Sequence, residues 1–284
     1  MLADVAPGLG LNLLVTAAVT LACVLTLWLV SIRIRDVSIV DIFWGPAFGI
    51  VALVGWFLSA DHGVYERRVL VTVLTVAWAA RLGIYLFRRN HGKGEDPRYT
   101  AAFRDRYSGR ELHVQTLKMV FLLQGFLAWL ISIPVQLAQY QVVPPALGVA
   151  AYVGTALFVV GFLFEAVGDW QLARFKADPA NRGRVMDRGL WRYTRHPNYF
   201  GNACLWFGLW LIGREYWSGV LTVFSRVLMT HFLVNVTGKK LLEKRMGRAR
   251  PEYADYVART PGFFPWFPKP PGSVSPDDAA RRPR

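Results

Sequence analysis

Apolar runs of membrane-spanning length recur along this chain, near residues 9–32, 38–60, 69–87, 117–134, 146–166, 199–212 and 217–236. A bilayer core takes about 20 apolar helical residues to cross. In lipid every backbone polar group must be satisfied internally, so a run of this kind folds as a helix. The pattern predicts an all-α polytopic membrane protein with seven transmembrane helices. Composition agrees: 54% of the 284 residues are hydrophobic and only 18% charged, too apolar a balance for a soluble domain. Only Asp4 carries charge ahead of the first run, which is too long for a signal h-region and is expected to be a retained span.

Charge sets the expected topology. With the N-terminus outside, 28 of the 33 Lys and Arg residues fall in inside segments, three (Arg67, Arg68, Arg214) fall outside, and Arg81 and Arg226 lie within spans. The positive-inside rule therefore predicts N-out, C-in. The net charge of +14 is read first as loops facing anionic headgroups, so membrane lipids are expected partners. No nucleic-acid-binding motif accompanies it, and no nucleic acid is expected. Arg214-Glu215 between the last two runs suggests that they form a tight hairpin. Residues 1–267 are expected to form one transmembrane domain, with 268–284 a disordered cytoplasmic tail rich in Pro and Arg. Cys23 and Cys204 lie in apolar runs, which excludes a disulfide scaffold or a Cys-rich zinc site. There is no Walker loop, nucleophile elbow or Gly-x-Gly-x-x-Gly, hence no soluble-type cofactor domain and no expected metal site.

Polar residues inside spans are costly and are functional candidates by default. Asp41, in Ser-Ile-Val-Asp-Ile-Phe-Trp-Gly-Pro, is read either as a proton-handling carboxylate or as a helix-start carboxylate favoured by the dipole. Arg81 in the third span needs an anion partner, or else snorkels to the interface. Glu165 and Asp169 are four residues apart and share a helix face at the end of the fifth span, read either as a solvated carboxylate pair or as acceptors for ribose hydroxyls or an amide. Lys176, Arg182 and Arg184 follow as possible phosphate contacts. The densest cluster is Arg188-Gly-Leu-Trp-Arg-Tyr-Thr-Arg195-His196-Pro-Asn198-Tyr199-Phe-Gly-Asn202. Pro197 breaks any preceding helix and starts the next, setting helix N-terminal donors among Arg and His side chains. That arrangement suits an anionic ligand at the membrane surface, the alternative being a basic interfacial loop anchored by Trp191, Tyr193 and Tyr199 in the headgroup region. His231 and Asn235, four apart in the last run, either line a cavity or make an interhelical hydrogen bond.

Arg192-Tyr-Thr-Arg-His-Pro-Asn-Tyr-Phe-Gly201, with Pro251-Glu-Tyr-Ala-Asp-Tyr256 and Pro261-Gly-Phe-Phe-Pro265 after it, resembles the C-terminal half of the steroid 5-alpha-reductase superfamily. Ser38–Gly45 and Arg81–Asn90 look like its bacterial branch, and the resemblance covers most of residues 35–267. The Arg-His-Pro-x-Tyr-x-Gly core is shared with isoprenylcysteine carboxyl and phospholipid methyltransferases, which use S-adenosylmethionine. The reductase resemblance implies a membrane enzyme, in a bacterial inner membrane, with its cofactor site facing the cytoplasm. Its cofactor would be NADPH and its reaction the reduction of a carbon–carbon double bond conjugated to a carbonyl in a lipid- or steroid-like substrate. By position, the resemblance assigns Arg81, Asp169, Lys176, Arg184 and Asn198 to the cofactor, with Arg195, His196, Tyr199 and Asn202 in the same loop. It makes Asp41 the counterpart of the carboxylate that polarises the substrate carbonyl. Two places depart from the pattern: Trp78 stands where the reductases carry a catalytic tyrosine, and Asn202 where they carry an acid. Tyr85 is the candidate substitute donor, giving Asp41 and Tyr85 as the catalytic pair. The alternative reading is methyl transfer to a lipid or isoprenyl-type substrate, supported by Leu241-Leu-Glu-Lys-Arg-Met-Gly247, but it leaves Asp41 and Arg81 without an evident role.

Overall fold

A computed structural model describes residues 5–231 and 253–270. The described residues are helical, with a lone antiparallel bridge between Val5 and Gln141 and no strand. Five helices are long and apolar enough to cross a membrane: α1 (Leu9–Ile34), α2 (Ile39–Leu58), α3 (Tyr65–Asn90), α4 (Gly109–Tyr140) and α5 (Val149–Ala177). After them come α6 (Pro197–Gly213), α7 (Val223–His231) and α8 (Tyr253–Arg259). The expected sixth span corresponds to α6, 17 residues long. Residues 232–236 of the expected seventh span, Asn235, the 241–247 stretch and the tail from 271 lie outside the described residues. The expected fourth and fifth spans are extended at their C-terminal ends, so that Glu165 and Asp169 sit well inside α5 rather than at its end.

Helix α1 buries mostly polar side chains and exposes apolar ones, the inverse of a helix on a water-soluble core. On α1 the buried residues are Asn12, Thr16, Thr20, Val24 and Ser31, while Leu14 on the same helix is 71% exposed. The first four repeat every fourth residue, one face of a helix. Lipid tails offer leucine nothing to escape from, so helices associate instead through polar contacts and small residues. Asn12 Nδ2 and Thr16 Oγ1 donate to Gln136 Oε1 on α4 at 3.0 and 2.7 Å, and Gln139 Nε2 donates to Ala52 O and Thr72 Oγ1, both at 2.8 Å. Gly45, Gly49 and Gly83 bring α2 against α3: a Cβ on Gly83 would lie 2.8 Å from Pro46 Cγ. Trp78, fully buried on α3, meets Phe48 of α2 edge-on at 5.5 Å between ring centroids.

Two compact units divide the chain: Met1–Thr155 with Leu209–Ser225, and Ala156–Gly208 with Arg226–Arg284. In the first, the fully buried Arg67 ties two distant connections to the start of α3. Its guanidinium donates to Gln141 O (3.4 Å), Pro144 O (3.1 Å) and Ala146 O (3.3 Å) and pairs with Glu215 Oε2 at 3.0 Å. Arg67, read from sequence as a loop cation, is thus a buried organiser, because its carbonyl and carboxylate partners come from segments up to 148 residues away. In the second unit, α5 and α6 come close at Gly161 and Gly201, where a Cβ on Gly201 would lie 2.5 Å from Glu165 N and from Gly161 O.

Candidate functional site

The first unit carries a carboxylate cluster built by the α1–α2 turn and the segment after α3. Arg35, in the left-handed conformation at φ 57°, ends α1 and turns the chain toward α2. The 91–108 segment is latched to this turn: Val37 N donates to Glu95 Oε1 at 2.8 Å, Asp96 N donates to Ser38 Oγ at 3.2 Å, and Arg104 NH2 donates to Arg35 O at 2.7 Å while pairing with Glu95. Asp96 caps the turn Pro97–Tyr99, accepting from Arg98 N at 2.9 Å, with Pro97 at the first helical position. That turn delivers two side chains to Asp41 on the first turn of α2. Arg98 NH2 donates to Oδ2 at 2.9 Å, and the Tyr99 hydroxyl donates to Oδ1 at 2.6 Å. Gln124 Nε2 donates to the same hydroxyl at 3.4 Å.

Burial and the adjoining Asp41 carboxylate push the Tyr99 phenol well above its ordinary value, so Tyr99 holds its proton throughout the physiological range. The hydrogen bonds that the Arg98 guanidinium donates to the Asp96 carboxylate hold it above its ordinary value. Burial alone would raise the Glu95 carboxyl, but Arg104, the Val37 amide and Thr100 together hold it below the usual range. The arrangement is a carboxylate paired with an arginine that it shares with Asp96 and topped by a neutral hydroxyl donor, able to hold a hydrogen-bond acceptor in place of the carboxylate.

The second unit carries a ladder between α5 and α6. Asn198 Nδ2 donates to Asp169 Oδ1 at 3.1 Å, and Asn202 Nδ2 donates to Glu165 Oε2 at 3.4 Å. Both pairs are four apart on their own helix, so the two rungs stack along one seam. Glu165, Asp169 and Asn202 are all buried. Asn202 Oδ1 is also buried and has no hydrogen-bond donor among the described residues. Pro197 at the start of α6 lies against Gly168, and the indole of Trp191 donates to Gly168 O at 3.0 Å, fixing the loop against α5. His196 and Tyr199 stack face to face, 5.3 Å between centroids and 2° apart in tilt.

The segment around α8 closes onto this loop. Arg195 NH1 donates to Val257 O at 2.8 Å and Thr260 O at 3.2 Å, while Arg195 N donates to Pro261 O at 2.9 Å. Thr194 Oγ1 donates to Phe263 O at 2.8 Å, and the Tyr256 hydroxyl donates to Trp191 O at 2.5 Å. Arg195 therefore clamps the C-terminal segment through backbone carbonyls.

Of the residues singled out in the sequence, the structure joins Asp169 to Asn198, Glu165 to Asn202 and His196 to Tyr199. Lys176 lies in the last turn of α5 and Arg184 in the following loop, both exposed. Arg81 and Tyr85 share a face of α3, and the Arg89 guanidinium lies over the Tyr85 ring, 5.8 Å from its centroid. Sequence reading passed over Arg98 and Tyr99, the partners of Asp41. The signal available for them was Asp96-Pro97, a helix-start dipeptide that marks an ordered turn inside a charged loop.

No solved structure matches the chain. An uncharacterized protein of Schizosaccharomyces pombe is 24% identical over an alignment covering 89% of this chain and 80% of that protein. A family model described as "Protein of unknown function (DUF1295)" matches residues 27–260, so the chain belongs to the DUF1295 family.

Proposed function

We propose that this protein is a membrane-embedded, NADPH-dependent reductase of a carbon–carbon double bond conjugated to a carbonyl in a lipid- or steroid-like substrate. The observation that carries the reading is the Tyr99 hydroxyl on Asp41, 2.6 Å from its Oδ1. Reducing a conjugated double bond builds negative charge on the carbonyl oxygen, and a fixed neutral donor stabilises that charge where water is excluded. Methyl transfer needs positioning and little acid–base help, so it gives this cluster no task. In this reading Tyr99 takes the role that the sequence offered to Tyr85: its single O–H, held on Asp41 here, turns to the substrate carbonyl, while Gln124 donates to its oxygen and Arg98 holds Asp41. The resemblance of the Arg192–Gly201 motif to the steroid 5-alpha-reductases supports the same reading.

The α5–α6 ladder fits the cofactor. Bound NADPH would supply the hydride. Asp169 and Glu165 are acceptors for ribose or amide N–H and O–H groups, and the unsatisfied Asn202 Oδ1 is a further buried acceptor for a donor such as a carboxamide. Asn198, His196 and Tyr199 form the adjoining wall, Arg195 holds it closed, and Lys176 and Arg184 are the cations of this unit offered to phosphate.

The proposed topology is seven spans, N-out and C-in, in a bacterial inner membrane with the cofactor side cytoplasmic. It is supported by the sides on which the connections meet. Arg67 ties together the connections that the charge count places outside, while Glu95 and Arg104 tie together connections placed inside. The test is calorimetry on detergent-purified protein, titrated separately with NADPH and S-adenosylmethionine and repeated on Asn198→Ala. NADPH binding that weakens at least tenfold in the variant is the expected result. Binding of S-adenosylmethionine in its place overturns the reading.

A further inference from the structure

Two of the threonines on α1 settle their hydroxyls within the helix: Thr16 Oγ1 donates to Asn12 O at 2.8 Å, and Thr26 Oγ1 to Ala22 O at 2.9 Å. Thr20, on the same helix, does not. It is 4% exposed, and its Oγ1 is buried with no hydrogen-bond partner among the described residues. A hydroxyl held this way inside a bilayer is costly, because no water is there to receive it. Thr20 lines a cavity of about 260 Å³ between α1 and α4. The two helices are pinned on either side of it. Toward one end a Cβ on Gly125 would lie 2.9 Å from Val24 Cγ1, so glycine is what lets α4 approach α1 there. Toward the other, the indole of Trp129 donates to Leu13 O at 3.1 Å and to Thr16 Oγ1 at 3.2 Å, which engages its N–H and leaves the cavity only its ring. Leu21 and Phe126, 47% and 55% exposed, are the members of the lining that face outward.

We propose that this cavity binds a neutral lipid carrying one oxygen, as a hydroxyl or a carbonyl, within its hydrocarbon body. The Thr20 hydroxyl supplies one donor and two acceptor lone pairs, and every other side chain of the lining is apolar or, in Trp129, already engaged. Water needs two or more polar partners to hold it, so this lining suits hydrocarbon. A dry cavity of about 150 Å³ takes benzene, and this one therefore takes on the order of ten carbon atoms. Depth selects the kind of lipid. Thr20 lies about 16 Å from the start of α1 and about 21 Å from its end, at 1.5 Å per residue over Leu9–Ile34. The oxygens of an ordinary phospholipid stay in the interface, outside the roughly 30 Å hydrocarbon core, and offer Thr20 nothing. The inference does not rest on the reductase reading, since Asp41, Tyr99 and Gln124 do not line the cavity.

The test compares laurone, a long-chain ketone with its oxygen at the chain centre, with tricosane, the alkane of the same length. Each is added at the same mole fraction to the full-length protein in neutral detergent, and thermal unfolding is followed. Laurone should raise the melting temperature by about 3 °C or more, and tricosane by clearly less. Thr20→Val keeps the shape and removes the oxygen: without a probe it should melt no lower than wild type, and its responses to ketone and alkane should become equal. Thr20→Ser should keep the difference, Ala17→Leu, which fills the cavity, should lose the response to both probes, and Tyr99→Phe should respond as wild type does. Gel filtration checks that each variant is folded. Equal shifts with ketone and alkane in wild type, no shift with laurone, or a difference that survives Thr20→Val overturns the site. A difference lost in Tyr99→Phe overturns it too, by placing the ketone on the Asp41 cluster. Because the NADPH test reads Asn198 and this one reads Thr20, loss of one reading leaves the other standing.

Discussion

Gly201→Ala tests the α5–α6 seam directly. The added methyl would lie 2.5 Å from Glu165 N and from Gly161 O, whereas ordinary contact begins at 3.4 Å. Both obstructing atoms are backbone within a helix, so no rotamer change relieves the clash and the helices must part by about 1 Å. Overpacking of this kind costs about 1–3 kcal/mol. The same movement stretches the Asn202–Glu165 rung, already 3.4 Å long, past hydrogen-bond range. Losing a buried hydrogen bond to a carboxylate adds about 1.5–3 kcal/mol. The combined loss is about 4 kcal/mol, which lowers the melting temperature by about 10 °C for a chain of this size. Thermal unfolding in detergent, followed by tryptophan fluorescence and repeated with NADPH present, measures both effects. Gly10→Ala is the control, since nothing lies within 4 Å of a Cβ at that position. A Gly201→Ala protein that melts with wild type and binds NADPH equally well would show that α5 and α6 do not meet at these residues.

Tyr99→Phe removes one hydroxyl and should leave NADPH affinity intact while lowering turnover of an enone substrate about 100-fold or more, the scale of one acid–base or charge-stabilising group. Tyr85→Phe should have a far smaller effect, and equal effects in the two variants would remove Tyr99 from the mechanism. Arg67→Met strands the Glu215 carboxylate in a buried setting and should destabilise by about 3–5 kcal/mol, whereas Arg67→Met with Glu215→Met should recover most of the loss; chemical denaturation of both variants checks the ordering. Glu95 is held below its ordinary value in the folded state, so its contribution to stability is complete above about pH 4.3 and is lost as pH falls below that point. Glu95→Gln should flatten the acid limb of the stability profile, and an unchanged limb would show that the latch to Arg104 and Val37 does not act in solution.

The membrane class of this protein was legible in the sequence because hydropathy is additive along the chain: a run such as Leu9–Ile32 crosses lipid whichever helices surround it. The four-residue spacings of Glu165 with Asp169 and of Asn198 with Asn202 were legible too, since helix periodicity alone puts each pair on one face. That these pairs face each other was not, because it depends on the close approach permitted by Gly161 and Gly201, 40 residues apart in the chain. Asp41 was recognisable as a costly carboxylate, yet its partners come from a loop 57 and 58 residues further on. The glutamines of α4 were missed because the predicted span stopped before Gln136, and Arg67 was counted as a loop cation because a charge beside an apolar run resembles a topology signal. Sequence thus determined that the chain is of the membrane class and which polar residues need partners there. Tertiary structure decided the partners, because a polar side chain in lipid is satisfied only by groups that distant helices bring within about 3 Å.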